Sequence, residues 1–370
     1  MLTSCAVTLL AILASNAIAV PLAPSFPPSE LRYILNHSSS LALLSSSKFW
    51  NLTGDVISEG IENALKSIPL EQITSGSHFT TPIELQGDAD TIDGGLMLYT
   101  SGTTARPKGV LLHQPVLIAQ AQSLLQAWEY SSTDRLLHVL PLHHIHGTVN
   151  ALLAPLMAGS TIEFMYPFNP THVWSRFAAP FLETQPQTNG HTSAPTKLPV
   201  TFFTVVPTIW ARLLQSHPTL SPEVQSATKE AIQRKHLRLN ISGSAALPTP
   251  TKAAWTDLAS GNVLLERFGM TEVGMALSCG LDDSDRIDGS VGWPLPSVQA
   301  RLVDPDTHSV IPDDVVDVSG EIQLRGPTVF KGYWDNPEAT AKEFTKDGWF
   351  KTGDIAVRRH VSGAGKGASG

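Results

Sequence analysis

The chain has 370 residues, of which 42 % are apolar and 16 % charged; that balance excludes intrinsic disorder, and the length points to two to three domains at about 150 residues each. The formal net charge is -8, with 25 Lys and Arg scattered along the sequence, which argues against a nucleic-acid partner, because duplex binding needs a gathered basic stripe. The two cysteines, Cys5 and Cys279, are too few for a disulfide framework or a cysteine-based zinc site.

At the amino end, residues 9–20 followed by Pro21 have the apolar core and small-residue boundary of a secretory segment, and Asn36, Asn51 and Asn240 head sequons that suit that reading. Against it, Met1 to Thr8 carries no Lys or Arg, and Ser15 and Asn16 break the run short of a bilayer span. The alternative is a buried helix leading into a strand. The chemistry further along favours this second reading, with a cytoplasmic location, or a mitochondrial or peroxisomal one, and no transmembrane segment.

From Gly94 onward, short β-rich apolar runs alternate with helical periodicity, the pattern of an α/β domain with a mostly parallel sheet. Residues 96–99, 135–140, 160–165, 200–206, 237–242 and 263–265 read as strands, and residues 110–112 as another. Leu117, Ile118, Ala121, Leu124, Leu125 and Trp128 fall at helical spacing behind Pro115, and residues 148–158 form a further helix closed by Gly159. Residues 185–197, rich in Thr, Pro, Ser and Asn, read as a surface loop. After Gly289 the texture changes to short strands with Gly and Pro turns. The organisation expected is an α/β part over residues 1–288, a β-rich subdomain over 289–357 and a flexible Gly/Ser tail over 358–370.

Residues 99–109, YTSGTTARPKG, set Gly and hydroxyl residues and a lysine directly after a strand. Unhindered backbone amides, hydroxyls and one ammonium are what a polyphosphate needs. It is not a Walker loop, because Pro107 precedes Lys108 and a strand rather than a helix follows.

With this loop the sequence resembles the adenylate-forming superfamily, whose phosphate loop normally reads YTSGTTGxPKG; Ala105 stands where a Gly is usual. The resemblance extends through SGSAAL (residues 242–247), FGMTE (268–272) and WFKTGD (349–354). It implies an α/β large domain with doubly wound sheets and a small β subdomain, with a leading segment and a carboxy-terminal small domain missing. It also implies ATP as substrate, held by Thr100, Ser101, Gly102, Thr103, Thr104, Lys108, Gly109, Ser244, Ala245, Ala246, Phe268, Gly269, Met270, Thr271 and Asp354. Glu272, with Thr104, would ligate Mg²⁺, which takes one or two protein oxygens and leaves its other positions to phosphate and water.

HVLPLHHIHGTVNALLAPLMAG, LLERFGMTE and DGSVGWPLP look like malonyl-CoA synthetases in particular. This implies a small carboxylic acid and coenzyme A as co-substrates and a catalytic group of Lys108, Thr271, Glu272 and His144. His144, His146, Ser242, Arg238 and Arg286 would line the acid pocket, the arginines because a guanidinium meets a carboxylate bidentately. His138, His143, His144 and His146 also invite a metal reading, which lacks a Cys or acid at ligand spacing. A non-catalytic nucleotide-binding remnant and an enzyme loading a carrier protein stay open as alternatives.

Overall fold

The computed structural model describes residues 2–62, 64–70, 94–100, 106–182 and 197–365. The chain divides into two compact units, one of Thr3–Pro115 with Phe330–Ala341, the other of Val116–Val329 with Lys342–Gly370.

In the first unit the amino-terminal run is a helix, Leu2–Ala14, that buries Ala6 and Leu9 and leads into strand β1, Ile18–Ala19. Of the two readings of this run, helix then strand is the one found. Two further strands, β2 (Ala42–Ser46) and β3 (Lys66–Leu70), pair in parallel. β1 lies parallel to β4 (Gly95–Thr100), which turns back antiparallel onto β5 (Lys108–His113) with Thr100 opposite Lys108. The segment Phe330–Ala341 returns to this hairpin from far along the chain: Tyr333 bridges Val110, and the Trp334 amide donates to the Gly109 carbonyl at 2.8 Å.

The second unit holds the parallel sheet. In chain order its strands are β6 (Arg135–His138), β7 (Thr161–Phe164), β8 (Phe202–Val205), β9 (Leu239–Ser242), β10 (Leu265–Met270), β11 (Gly274–Ser278) and β12 (Trp293–Pro294). Among the described residues they lie in the order β7-β6-β8-β9-β10-β11-β12, parallel from β7 to β10 and antiparallel beyond. β8 and β9 are buried at every position, as strands covered on both faces are, and the polar Thr204, Asn240 and Ser242 are buried with their apolar neighbours. The strand expected at 263–265 is displaced: β10 starts at Leu265 and runs on to Met270, because pairing with β11 across a bulge at Phe268/Gly269 keeps FGM extended. The remaining strands, β13 (Gln299–Val303), β14 (Val310–Ile311), β15 (Ser319–Arg325) and β16 (Phe350–Val357), form an antiparallel sheet in the order β14-β13-β15-β16. The loop expected over residues 185–197 falls almost wholly outside the described residues.

Helices join the parallel strands. Pro115 sits in the first turn of Gln114–Trp128, where its missing N–H costs nothing. The helix after β6 is expected from periodicity, but its first part, His146–Leu153, is wound as a π-helix before Ala154–Met157, and Gly159 closes it at φ +73°. The core beside the sheet is built on three fully buried tryptophans: Trp255 stacks on Trp174 at 6.2 Å and meets Trp210 at 4.4 Å between ring centroids.

Polar side chains pin the sheet from within. Asn240 is fully buried, giving its amide to the Asn262 carbonyl and accepting from Arg286, so its sequon is closed to glycosylation in the folded chain. Lys252, on the helix Thr249–Leu258, donates to Glu266 of β10 at 2.7 Å and to the Ile287 carbonyl at 3.1 Å. Burial raises the Glu266 pKa, with the Lys252 bond working against it. A buried pair is expensive to break, because the survivor keeps its desolvation cost. Lys252→Met is therefore expected to lower the unfolding free energy by about 3 kcal/mol in urea denaturation, and Lys252→Met/Glu266→Leu to recover most of it. Equal losses in the two variants would show that the pair does not couple.

Candidate active site

From β6 the chain passes to β7 on one side, and later through β8, β9 and β10 on the other. The order reverses between β6 and β8, and in open parallel sheets the crevice at the carboxyl ends of the strands flanking such a reversal receives ligands. His138 ends β6, Thr204 stands one residue from the end of β8, and Ser242 ends β9 ahead of the turn 243–246.

The side chains gathered there form one chain of contacts. His146, the first residue of the π-helix, has Nε2 2.6 Å from Thr204 Oγ1 and Nδ1 3.3 Å from Ser244 Oγ, and Arg267 Nη2 donates to the same Ser244 hydroxyl at 3.3 Å. Burial holds the His146 pKa well below its ordinary value and the Arg267 charge adds to the effect, so the imidazole is neutral. Ser244 takes φ +66°, a left-handed conformation that is uncommon for a residue other than glycine and that turns up at functional sites. A Cβ on Gly243 would stand 2.3 Å from Arg267 Nε; the glycine is what lets the guanidinium lie against the turn.

Arg267 is the unusual member. It is 3 % exposed, and its Nε and Nη1 have no hydrogen-bond partner among the described residues. Burial pulls its pKa down to about 9, with Tyr130 opposing. A desolvated guanidinium with unused donors is stabilised by an anion brought against it. The Ser242 hydroxyl is likewise buried and unbonded.

The other histidines make contacts of their own. His138 Nε2 lies 2.9 Å from the Gly147 carbonyl, and burial lowers its pKa to about 4. His143 and His144 pack ring to ring at 4.3 Å; burial, with His144 nearby, brings His143 to about 4, and partial desolvation lowers His144. Among the described residues no three His, Cys, Asp or Glu side chains group to hold a metal.

Ser244, Ala245 and Ala246 are exposed beyond β9, and Phe268, Gly269 and Met270 are half-buried at the end of the neighbouring β10. Thr271 and Glu272 occupy the turn into β11, where Glu272 is buried. Asp354 lies exposed on β16, behind Gly353 at φ +75°. In the first unit, Thr100 and Lys108 face each other at the base of the hairpin, and Gly109 follows. Ser101, Gly102, Thr103, Thr104 and Ala105 lie outside the described residues.

Arg238 and Arg286 are not brought to this set. Arg238 precedes β9, at the opposite end of the strand from Ser242, roughly 13 Å away along an extended chain. Its guanidinium is taken up by Asp134 through Nε at 2.7 Å and Nη2 at 2.5 Å, and by the Trp128 and Glu129 carbonyls. Burial works to raise the Asp134 pKa, but Arg238, Thr201 and the Ser131 amide hold it below its ordinary value. Arg286 is buried and donates to Asn240 Oδ1 and to the Val263 and Leu281 carbonyls. Sequence reading passed over Arg267; the signal available was a charged residue inside the apolar run LLERF.

A family model described as AMP-binding enzyme matches residues 1–334. The chain is 59 % identical to a CoA ligase of Gibberella moniliformis, an alignment covering 98 % of this chain and 64 % of that protein. It is 37 % identical to the mitochondrial malonate–CoA ligase ACSF3 of Homo sapiens, over 93 % of this chain and 60 % of that one. Among solved structures, a malonyl-CoA ligase ternary product complex with methylmalonyl-CoA and AMP bound superposes with a TM-score of 0.75 at 30 % identity, over 96 % of this chain and 67 % of that chain. The chain thus spans less than two thirds of the length of these two curated relatives. Among the described residues no helix is long and apolar enough to cross a membrane.

The histidines make stability depend on pH. His138 titrates near 6.5 when unfolded and at about 4 when buried, so below pH 6.5 the unfolded chain binds a proton that the native one refuses. Stability is full above that value and falls as pH drops, by about 1.4 kcal/mol per pH unit for each such group, down to about pH 4. Urea denaturation at pH 7.5, 6 and 5 is expected to show this loss, and His138→Gln to reduce its slope. Parallel profiles for the two proteins would exclude His138 as a source.

Proposed function

The chain belongs to the AMP-binding enzyme family, and on that premise we propose that it acts as an ATP-dependent acid:CoA ligase whose acid is malonate or a close derivative such as malonamate or methylmalonate. The observation that carries the choice of acid is the buried Arg267 guanidinium, with Nε and Nη1 unbonded beside Ser244 and His146. A dicarboxylate places one carboxylate at the reacting phosphate and has a second left over; a buried guanidinium is the natural partner for that second charge. The names of the human relative and of the solved ligase support the same class.

The reaction proceeds in two halves. An oxygen of the substrate carboxylate attacks the α-phosphorus of ATP; the bond to the β-phosphate oxygen breaks, giving acyl-adenylate and pyrophosphate. The CoA sulfur then attacks the acyl carbon, the thiol proton goes to solvent, and AMP leaves with the bonding pair. Both halves depend on positioning and on charge stabilisation. Lys108 meets the polyphosphate with a point charge. The SGSAA turn and Phe268 flank the adenine, Thr271 donates to phosphate, and Asp354 accepts from the ribose hydroxyls. His146, neutral and tied to Thr204, orients Ser244 at the acid without competing with Arg267 for its charge.

Glu272 fits magnesium: it offers one carboxylate at the hairpin turn, and this cation is held by one or two carboxylates together with substrate phosphates. Bound there, Mg²⁺ would neutralise charge developing on the phosphate oxygens. Dependence on ATP and CoA suits the cytosol, or the mitochondrion for which the human relative is named.

Two experiments test the assignment. Lys108→Ala and Glu272→Gln are expected to weaken Mg-ATP binding about tenfold by calorimetry with little change in melting temperature; unchanged affinity in both would remove these residues from the nucleotide site. Pyrophosphate release with malonate, malonamate, methylmalonate, acetate and hexanoate is expected to rank the malonate series first. Arg267→Leu should then cut kcat/KM for malonate by roughly 30-fold or more, the weight of a desolvated charge pair, while sparing hexanoate. ATP binding without turnover of any acid would instead identify a nucleotide-binding remnant.

A further inference from the structure

The returning segment Phe330–Ala341 contributes an aromatic side chain to the phosphate hairpin of the first unit. The Lys108 ammonium lies over the Tyr333 ring, 4.5 Å from its centroid. That ring is held on several sides. The Tyr333 amide donates to Thr340 Oγ1 at 2.9 Å, its backbone bridges Val110, and the Phe330 ring meets it edge-on at 5.0 Å. The next residue fastens the segment twice more: the Trp334 amide donates to the Gly109 carbonyl at 2.8 Å, and its indole Nε1 to the His37 carbonyl at 3.0 Å. Gly109 makes this approach feasible, since a Cβ there would stand 3.3 Å from both the Trp334 Cβ and the Tyr99 ring.

We propose that Tyr333 is a positioning residue for Lys108, a fixed aromatic seat that aligns the ammonium for the polyphosphate; the inference rests on the reading of Lys108 as a phosphate ligand. A lysine has a long flexible stem, and ordering it at the moment of binding costs side-chain entropy. A cation over an aromatic face is attracted by the ring quadrupole. The ring narrows the stem's freedom in advance and, unlike a carboxylate, does so without cancelling the charge.

The test is a double-mutant cycle on the intact chain, read as the Mg-ATP dissociation constant by calorimetry. Tyr333→Leu, which removes the ring face, is expected to raise that constant about three- to tenfold. Tyr333→Phe, which keeps it, should stay within about twofold of the parent. In a Lys108→Ala background Tyr333→Leu should have no further effect, because a seat without its cation does nothing. An equal loss from Tyr333→Leu in both backgrounds would mean that the ring only supports the fold, and the proposal fails. No loss in the parent, where Lys108→Ala does weaken binding, also overturns it. If Lys108→Ala itself changes nothing, the phosphate-ligand reading fails first and the seat with it. Should Tyr333→Leu melt early, phenylalanines of increasing fluorination at position 333 keep the shape and weaken the quadrupole. The dissociation constant should then climb stepwise with fluorine number, and a flat series overturns the proposal.

Discussion

A guanidinium taken out of water must be met by acceptors and by negative charge, and the second unit shows how far that requirement organises a sheet. Arg238 spans Asp134 and two carbonyls where β6 and β9 begin. Arg176 grips Glu163 of β7 with Nε at 2.5 Å and Nη2 at 2.6 Å. Arg286 ties Asn240 of β9 to the carbonyls of Val263 and Leu281. Each is a cross-brace whose loss would leave a partner desolvated and unpaired. Arg267 is built in the same way and closed on one side only, by Ser244. Arg176 Nη1 and Arg286 Nε also lack a hydrogen-bond partner among the described residues; Arg267 differs in that its one hydrogen bond there goes to a hydroxyl.

The backbone around Arg267 is arranged to keep it so. The absent Cβ of Gly243 lets the guanidinium lie against the turn, and the left-handed Ser244 presents its hydroxyl to Nη2. The π-winding of His146–Leu153 adds to this on the other side. π-Turns recur at functional sites; this one opens on His146, braced by Thr204 and kept neutral by burial. A charged imidazole would repel the arginine it adjoins.

In the first unit the corresponding device is aromatic. Tyr33 donates to the Pro107 carbonyl at 3.0 Å, Tyr99 lies 2.8 Å from His37 Nδ1, and Trp334 and Tyr333 close on Gly109 and Lys108. Rings thus gather around the described end of the hairpin, at Tyr99, Pro107, Lys108 and Gly109.

The sequence by itself determined what is local. Strand periodicity put β4 to β9 close to their observed places, as helical spacing did the helices Gln114–Trp128 and 146–157, and the contiguous motifs YTSGTTARPKG and FGMTE carried the family resemblance, because each holds its signal within a few adjacent residues. Tertiary structure decided everything that depends on which end of which strand meets what. The amino-terminal apolar run has the same composition as a secretory segment, and only the pairing of β1 with β4 makes it an interior element. Arg238, Arg286 and Arg267 are chemically identical. Strand order set Arg238 among acceptors at the amino ends and Arg286 against Asn240 and two carbonyls, and it left Arg267 beside a turn with a hydroxyl as its one hydrogen-bond partner among the described residues. No pattern along the chain encodes that difference, because pairing a buried charge is a property of the neighbours that sheet topology supplies.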